Sequence, residues 1–408
     1  MIYLDHNATT PVAPEVLEAM LPLLRDQYAN PSSSHSAGRA VADLVDQARE
    51  QVADLVGAPL GPRGYEVIFT SGATEAANLA IRGLVPSLSL TPGRSVLAVG
   101  STEHKAVLEP IRRSTGVGRA VLAPIAARRD GTLDLEHLDQ VLAGDVAFVA
   151  AMAANNETGV LTNVKKVAKA AHEAGALVFS DVTQAVGKVS VDLADWEVDL
   201  AVLSAHKFGG PKGVGALVVR RELLGKMRPQ TLGGAQERGL RAGTLNTPGI
   251  IGFGAAAALA AERWPAESRR IARLTRLLHG LLVGRLDAVY LNGPPRGRLP
   301  NTLNVRFAGA PADAVLTCVP RVAMSSGAAC YGGTNEPSHV LEAMGQDRVT
   351  ALEAIRFSLG RTTTEAEVRE AAASVAEGVE HVRGLRGALA RWRVPNHQPA
   401  PSAGTSWP

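Results

Sequence analysis

Leu200-Ala-Val-Leu-Ser-Ala-His-Lys207 is an apolar run of strand length that ends directly in polar, chemically active side chains. Similar apolar runs occupy residues 66–70, 95–99, 146–150 and 176–180, and helical patterns between them include 74–85, 133–143 and 164–174. Near-continuous apolar strands that alternate with helices are typical of a mostly parallel sheet covered by helices on both faces. The sequence therefore predicts an α/β fold whose ligands bind beyond the carboxyl ends of the strands.

A second pattern begins after Gly249, where a helical stretch rich in Ala, Leu and Arg runs to about Leu286. Residues 302–307 and 321–324 have the character of strands, and residues 365–385 that of a final helix. We therefore expect three units: a large domain over 1–250, whose segment 1–15 packs on the second unit; a small α+β domain over 251–390; and a disordered tail over 391–408.

The composition is that of an ordinary globular protein, with 46% hydrophobic and 20% charged residues among 408. A net charge of +3 is too small to argue for a nucleic-acid partner, and no apolar run is long enough for a membrane span. The first residues lack the basic and apolar regions of a signal peptide, and the chain has only two cysteines, Cys318 and Cys330. A disulfide framework is therefore not indicated, and a cytoplasmic location is expected.

Polar groups follow several of the predicted strands. Ser71-Gly-Ala-Thr-Glu75 opens a helix, where unpaired backbone N–H groups and the Thr74 hydroxyl can bind an anion, although an ordinary helix cap is the simpler interpretation. The segment is not a Walker A loop, because the Gly-Lys-Ser/Thr ending is missing. Asp181 comes just past another strand, where its carboxylate can keep a cofactor ring nitrogen protonated; a turn cap is the alternative.

Lys207 precedes a loop, Phe208-Gly-Gly-Pro-Lys-Gly-Val-Gly215, that is too rich in glycine for an ordinary surface turn. A lysine in a partly desolvated site can have a lowered pKa and form a Schiff base, whereas an exposed lysine is the usual alternative. His104 also follows a strand, and its ring can stack on an aromatic cofactor or move protons. A lone histidine is, however, more often a structural group.

The two cysteines have different surroundings. Cys330 lies among small residues in Ser325-Ser-Gly-Ala-Ala-Cys330, which indicates an accessible, mobile segment and favours a reactive thiol. Cys318 lies in the apolar stretch 314–319 and is expected to be packed. Arg356 and Arg361 each offer a guanidinium fork for a substrate carboxylate, with an interdomain ion pair as the alternative for either.

Taken together and in order, these motifs resemble the cysteine desulfurases of the class V aminotransferase family, of the nitrogen-fixation and iron–sulfur-cluster type. The resemblance runs from Tyr3 to about Leu385. The segments that carry it are Leu4-Asp-His-Asn-Ala-Thr-Thr-Pro11, Gly72-Ala-Thr-Glu75, Thr102-Glu-His104, Asn155-Asn-Glu157, Ser204-Ala-His-Lys207, residues 233–244 and Ser325–Cys330. It implies the fold of type I pyridoxal 5'-phosphate (PLP) enzymes, with a mainly parallel seven-stranded sheet.

The resemblance also implies roles for particular residues. Lys207 would bind PLP covalently, Asp181 would pair with the pyridinium nitrogen, and His104 would stack on the ring. The other implied roles are Gln184 at the ring oxygen, Ala73, Thr74, Ser204 and His206 at the phosphate, Thr244 at the phosphate of the other subunit of a homodimer, Asn156 at cofactor and substrate, Arg356 at the substrate carboxylate, and Cys330 as sulfur acceptor.

The implied reaction converts L-cysteine into L-alanine and a persulfide on Cys330, for transfer to an acceptor protein in iron–sulfur cluster assembly, tRNA thiolation or DNA sulfur modification. The only metal contact implied is a transient one, through that persulfide and a cluster scaffold. A selenocysteine lyase, an aminotransferase and a non-catalytic partner of the same fold remain alternatives. Two departures from the family pattern are His6, where Tyr or Asn is frequent, and residues 331–335, which replace a Ser/Thr-rich loop.

Overall fold

The computed structural model describes residues 1–88, 95–115, 120–326 and 336–391, with side chains up to Arg386. The Cys330 segment and the predicted tail beyond Arg391 lie outside the described residues.

The secondary structure alternates between strands and helices from residue 65 to residue 181. The strands are β1 (Ile2–Tyr3), β2 (Tyr65–Thr70), β3 (Val96–Gly100), β4 (Val121–Ile125), β5 (Val146–Ala150), β6 (Leu177–Asp181), β7 (Leu200–Ser204), β8 (Gly215–Arg220), β9 (Val289–Leu291), β10 (Thr302–Phe307), β11 (Val322–Ala323), β12 (Ser325–Ser326) and β13 (Ala354–Ser358). The helices are α1 (Pro14–Arg25), α2 (Ser36–Leu55), α3 (Ala73–Leu88), α4 (Lys105–Thr115), α5 (Leu135–Leu142), α6 (Val164–Glu173), α7 (Thr247–Arg285), α8 (Ala312–Cys318), α9 (His339–Ala343), α10 (Arg348–Ala351) and α11 (Glu365–Arg391).

The large sheet has seven strands in the order β2-β8-β7-β6-β5-β3-β4. Only β8 runs antiparallel to its neighbours among these strands, and the other pairs are parallel. Every residue of β5 and of β7 is buried, because helices cover both faces of the sheet. The predicted α/β fold with a mainly parallel sheet is therefore confirmed.

Two strands of this sheet were absent from the sequence prediction. β4 is an edge strand that contains Pro124 and is mostly exposed or half-buried, so it lacks the continuous apolar pattern of a central strand. β8 follows directly on the glycine-rich segment after Lys207, and that context favours a loop.

A second hydrophobic core lies around the four-stranded sheet β12-β13-β10-β9. The long helix α7 contributes to both cores: Phe253 packs in the core beside the large sheet, and Leu278 and Leu282 pack in the second. The amino-terminal segment also joins the second core, since β1 pairs with β11 and Leu4 is fully buried there.

Cys318 contradicts its prediction. It ends α8 with its side chain exposed, because the buried positions of that short helix are Ala312 and Val315. The apolar residues around Cys318 belong to a helix with one buried face, and Cys318 lies on the exposed face.

Among the described residues, no helix has both the length and the apolarity that a membrane crossing requires. The same part of the chain contains no cluster of three or more His, Cys, Asp or Glu side chains arranged to hold a metal ion.

Candidate active site

A cavity of about 590 Å³ lies at the carboxyl ends of the parallel strands, a volume in the range of small-molecule sites. The amino-terminal segment, through Asp5 and Asn7, and the small sheet, through Arg356, close its other side. Ten of the predicted site residues line it: Ala73, Thr74, His104, Asn156, Asp181, Gln184, Ser204, His206, Lys207 and Arg356.

Lys207 enters the cavity from a tight turn. β7 ends at Ser204, and a single 3₁₀ turn over Ala205–Lys207 follows. Gly210 permits the chain to close back on this turn, because a Cβ there would lie 2.7 Å from the Cβ of Ala205. The Nζ of Lys207 donates hydrogen bonds to the backbone carbonyls of Asn7, at 2.7 Å, and Ala8, at 2.9 Å.

Asp181 ends β6, and His104 follows β3, which is separated from β6 in the sheet by β5. The buried carboxylate of Asp181 accepts one hydrogen bond from the backbone N–H of Thr183, at 2.9 Å. The Nδ1 of His104 accepts from the N–H of Ala106 at 3.1 Å, which fixes the ring at the start of α4. Burial lowers the pKa of His104, with a smaller contribution in the same direction from Lys207, whereas the Asp181 carboxylate opposes the shift. The imidazole is therefore neutral near pH 7.

The start of α3 forms the anion-binding end of the cavity. The first backbone N–H of α3 with a backbone acceptor is that of Ala76, which bonds to the carbonyl of Gly72 at 3.1 Å. The N–H groups of residues 73–75 have no backbone acceptor among the described residues and can bind a ligand, whereas those of Ser71 and Gly72 donate to the side chains of Glu75 and Thr70. Gly215 of β8 packs against this turn, since a Cβ on it would lie 2.6 Å from the Cα of Gly72. Ser204 and His206 line the same cavity, and burial together with Lys207 lowers the pKa of His206 to about 4.

Gln184 belongs to a hydrogen-bonded group centred on Asn7. Its Nε2 donates to the Asn7 carbonyl at 3.0 Å, and its Oε1 accepts from the Nζ of Lys188 at 2.6 Å. The Lys188 amine also donates to the Oδ1 of Asn7 at 3.1 Å. Asn7 in turn donates from Nδ2 to the hydroxyl of Thr302 at 2.9 Å, so the group connects both sheets.

Arg356 lies on β13 and is 6% exposed. Its two terminal nitrogens are engaged by the Asp5 carboxylate, at 2.7 Å, and the Asn156 carbonyl, at 2.9 Å, whereas its buried Nε has no hydrogen-bond partner among the described residues. Arg361 lies outside this cavity, with its Nε 3.9 Å from Glu267. Of the two candidate guanidinium groups, the structure brings only Arg356 to the cavity.

Two of the predicted site residues are not brought to this cavity in the described chain. Thr244 is exposed and does not line it, although Arg241, three residues earlier, holds the Glu75 carboxylate of α3 at 3.1 Å. Cys330 lies outside the described residues. Its segment begins beside Arg356, because Ser325 of β12 is paired with Arg356 in the small sheet and also lines the cavity.

His6, a departure from the family pattern, is a buried packing residue. Its ring meets Tyr3 edge-on with centroids 4.9 Å apart and fills the space beside Gly360. Burial, with a smaller contribution from Lys188, lowers the pKa of His6 to about 4.

Several polar residues of the site were not assigned a role from the sequence. They are Asp5, Asn7, Lys188 and Lys212, together with the buried Glu103 next to His104. Asp5 and Asn7 lie in the quoted amino-terminal motif, and Lys212 lies in the glycine-rich loop. The available signal for Asp5, Asn7 and Lys212 was therefore their position inside motifs, whereas Lys188 lies in none of the quoted motifs.

The residues of the cavity fit PLP. An amine, a buried carboxylate and a helix start lie on one cavity, which are the groups needed for the aldehyde carbon, the ring nitrogen and the phosphate of that cofactor. The close packing of Gly215 on Gly72 keeps the phosphate end free of side-chain bulk. Lys207, Asp181 and Thr74 are the residues placed to hold these three parts.

Comparison with known proteins agrees with this geometry. The profile of the family "Aminotransferase class-V" matches residues 2–370. A curated protein of Frankia sp. (strain EuIK1), named cysteine desulfurase, is 53% identical over 394 residues, which cover 94% of this chain and 93% of that protein. A solved NifS-like protein superposes with a TM-score of 0.85 at 34% identity, covering 93% of this chain and 99% of its own. SspA in complex with cysteine gives a TM-score of 0.76 at 32% identity, covering 88% and 99%.

The chain belongs to the class V aminotransferase family, whose members use PLP, and it has the fold of the type I PLP enzymes. Within that family it belongs to the cysteine desulfurases. The resemblance predicted from the sequence motifs is thereby confirmed.

Proposed function

We propose that the enzyme moves the sulfur of L-cysteine to Cys330 and releases L-alanine. The observation that carries the proposal is the convergence of Lys207, Asp181 and Arg356 on one cavity. A guanidinium fork suits the carboxylate of an amino acid, and the amine and acid suit the cofactor. The cysteine bound by SspA, which has the same fold, adds support for the substrate.

Each residue has a distinct task in this proposal. When bound, PLP withdraws electrons from the substrate carbon that carries the amino group. Lys207 would hold the cofactor, and its Nζ would be the base that takes the proton from the substrate Cα. Asp181 would pair with the ring nitrogen, and His104 would pack on the ring. Ala73, Thr74, Ser204 and His206 hold the phosphate, while Asn156 and Arg356 orient the substrate.

The sulfur transfer is an attack of the Cys330 thiolate on the sulfur of cysteine. An S–S bond forms as the Cβ–S bond of the substrate breaks, so Cys330 becomes a persulfide. The electron pair of the broken bond stays with the substrate carbon skeleton, which takes up a proton at Cβ, regains the one removed from Cα and leaves as alanine. Cys330 is four residues after Ser326, a span that reaches at most about 14 Å in extended chain. The short chain distance to β12, which pairs with the strand of Arg356, supports the assignment of Cys330 as the sulfur acceptor.

The assembly and destination of the enzyme are also part of the proposal. The enzyme is a homodimer in which Thr244 serves the phosphate site of the other subunit, and it works in the cytoplasm. The persulfide passes to an acceptor protein of iron–sulfur cluster assembly or thiolation, with metal contact limited to that transfer. The chain divides into a large domain over 1–250, a small domain over 251–390 that carries Cys330, and a tail over 391–408.

The test separates cofactor binding from sulfur transfer. The parent, Lys207→Ala, Cys330→Ser and Cys318→Ser proteins are incubated with PLP and then with cysteine, and visible absorbance, sulfide and alanine are measured. We expect Cys330→Ser to keep the visible absorbance and make no sulfide, and Lys207→Ala to lose both the covalent cofactor and the activity. Cys318→Ser is the matched control, with parent activity and a stability change within about 0.5 kcal/mol because its side chain is exposed.

Mass spectrometry identifies the sulfur carrier directly. After brief exposure to cysteine, the added sulfur should be on the Cys330 peptide and absent from the Cys318 peptide. Sulfide release at the parent rate by Cys330→Ser would contradict the proposal and favour a thiol-independent lyase. Formation of a keto acid in place of alanine would favour an aminotransferase.

A further inference from the structure

Lys188 has an amine that is buried next to the active-site cavity with only uncharged acceptors. The residue is 9% exposed, and its Nζ donates to the Oε1 of Gln184 at 2.6 Å and to the Oδ1 of Asn7 at 3.1 Å. No carboxylate pairs with this amine among the described side chains. A lysine side chain in such a place is unusual, because an unpaired buried charge is costly.

The surroundings of Lys188 favour its neutral form. Burial lowers its pKa well below the ordinary value, and the positive charges of Lys207 and Arg356 act in the same direction. The nearby His6 and His206 each have a pKa lowered to about 4 and so are uncharged near pH 7. A neutral amine has two N–H donors, which equals the number of acceptors in contact with it.

The contact with Lys188 decides how the Gln184 amide is oriented. With Oε1 toward the amine, the Nε2 group donates one hydrogen to the Asn7 carbonyl at 3.0 Å and keeps a second for the cavity, which Gln184 lines. A flipped amide would place its oxygen against the backbone carbonyl oxygen of Asn7, which is a repulsive contact. The flip would also remove the acceptor of one of the two Lys188 N–H groups, so the amine and the carbonyl together select one orientation.

The backbone explains how Lys188 reaches this position. Gly187, at φ +71°, takes the left-handed conformation that turns the chain after β6. A Cβ on Gly187 would also lie 2.9 Å from the Cβ of Phe208, so no other residue fits the turn without displacement. The turn therefore brings the side chain of Lys188 back toward Gln184.

We propose that Lys188 is a positioning residue of the cofactor site, whose amine fixes the Gln184 amide with its N–H₂ group toward the bound ligand. The inference rests on the proposed function and on the role that the family resemblance implies for Gln184, which is to donate to the ring oxygen of PLP. The same amine donates to the side-chain Oδ1 of Asn7, and the backbone carbonyl of Asn7 accepts from the Nζ of Lys207 at 2.7 Å. One buried lysine thus orients both the ring-oxygen donor and the segment that meets the reactive amine.

The experiment is a pH titration of the visible absorbance of the holoenzyme for the parent, Lys188→Met, Gln184→Met and the double variant. Methionine keeps the length and apolar character of the lysine stem and removes the donor. Loss of a donor to an anionic ring oxygen makes the cofactor more basic, so each single variant should raise the titration midpoint by roughly one pH unit. The double variant should show no further rise, because Lys188 acts through Gln184. Lys165→Met, an exposed lysine paired with Asp195, is the control and should keep the parent midpoint.

The outcomes separate this inference from the proposed function. A parent midpoint in Lys188→Met, or shifts that add in the double variant, would overturn the role of Lys188 and leave the desulfurase proposal intact. A parent protein that gains no visible absorbance with PLP would contradict the proposed function itself, and this inference with it. If Lys188→Met does not fold, a neutron structure of the parent holoenzyme decides: the Gln184 deuterons must point to the ring oxygen, and the reverse orientation refutes the inference.

Discussion

Glu103 carries a carboxyl group that is 1% exposed, between the turn of His104 and the end of β5. Its Oε1 accepts a hydrogen bond from the backbone N–H of Met152, and its Oε2 has no partner among the described residues. Burial raises the pKa of Glu103 to about 8, and the Asp181 carboxylate adds to the shift. Near pH 7 the group is therefore a neutral acid, and Asp181 is spared a like charge beside it.

This raised pKa predicts a pH dependence of stability. The unfolded pKa of a glutamate is about 4.3, so between about 4.3 and about 8 the folded state binds one more proton than the unfolded state. The contribution of Glu103 is present in full below the lower value, falls as pH rises and is lost above the upper one. From pH 5.5 to 7.5 the free energy of unfolding should fall by at most roughly 3 kcal/mol more in the parent than in Glu103→Gln.

Urea unfolding of the two proteins at both pH values measures this difference. Glu103→Gln keeps a neutral side chain of the same shape, so other titrating groups contribute equally to both proteins and cancel. Equal pH slopes in the two proteins would show that Glu103 is ionised in the folded state.

Single site residues could be predicted from the sequence where they follow the end of a predicted strand. Residues whose roles depend on long-range contacts could not be predicted. Lys207, Asp181 and His104 were found because each follows an apolar run at the expected edge. Asn7 and Lys188 were not assigned, because their roles depend on contacts between segments separated by as many as 351 residues. No local pattern reports such a contact.

At the level of secondary-structure elements, the turns that join strands to helices define the shape of the cavity. The first turn of α3 lies against β8 at Gly72 and Gly215, which are distant in sequence and in close contact in the fold. Central strands were predictable from continuous apolar runs, whereas β4 at the edge and β8 after a glycine-rich loop were not. The exposure of Cys318 was not predicted either, since the apolar residues of a short segment do not show which face of α8 is buried.

Gly215→Ala should weaken both folding and cofactor binding. The new Cβ would lie 2.6 Å from the Cα of Gly72 and 2.6 Å from the carbonyl oxygen of Leu203, so the turn at the phosphate end must shift. We expect a loss of about 1–3 kcal/mol in the free energy of unfolding and a higher PLP concentration for half-saturation. Equilibrium unfolding and absorbance titration with PLP measure the two effects.

Gly225→Ala is the matched control for that substitution. A Cβ at Gly225 meets no atom within 4 Å, so both stability and PLP affinity should stay close to the parent values. Unchanged PLP affinity in Gly215→Ala would mean that β8 does not position the start of α3.

Across the whole molecule, the exposure of Thr244 agrees with a site completed by a second subunit. Arg241, three residues before Thr244, donates a hydrogen bond to Glu75 of α3, which lines the cavity. Thr244 itself is exposed and does not line the cavity. A mixture of two inactive variants tests the arrangement. In a hybrid dimer of Lys207→Ala and Thr244→Glu, one site would hold the intact Lys207 of one chain and the intact Thr244 of the other.

Random exchange of subunits makes about half of the dimers hybrid, each with one intact site of two, so about a quarter of the parent activity should return. Each variant alone should stay inactive at the same total concentration, which is the control. Failure to recover activity, despite subunit exchange shown by differently tagged chains, would place Thr244 in its own subunit's site or outside catalysis.

The pairing of the chain's first residues with its last sheet has a consequence for biosynthesis. Asn7 bonds to Ser358, 351 residues later, and β1 pairs with β11. At about 5–20 residues per second, a ribosome needs roughly 20–70 s to make the intervening chain. Throughout that time the segment that meets Lys207 has no small-sheet partners to hold it. The nascent large domain therefore leaves the ribosome with an unfinished cavity, and loading of the cofactor in its final geometry awaits release of nearly the whole chain.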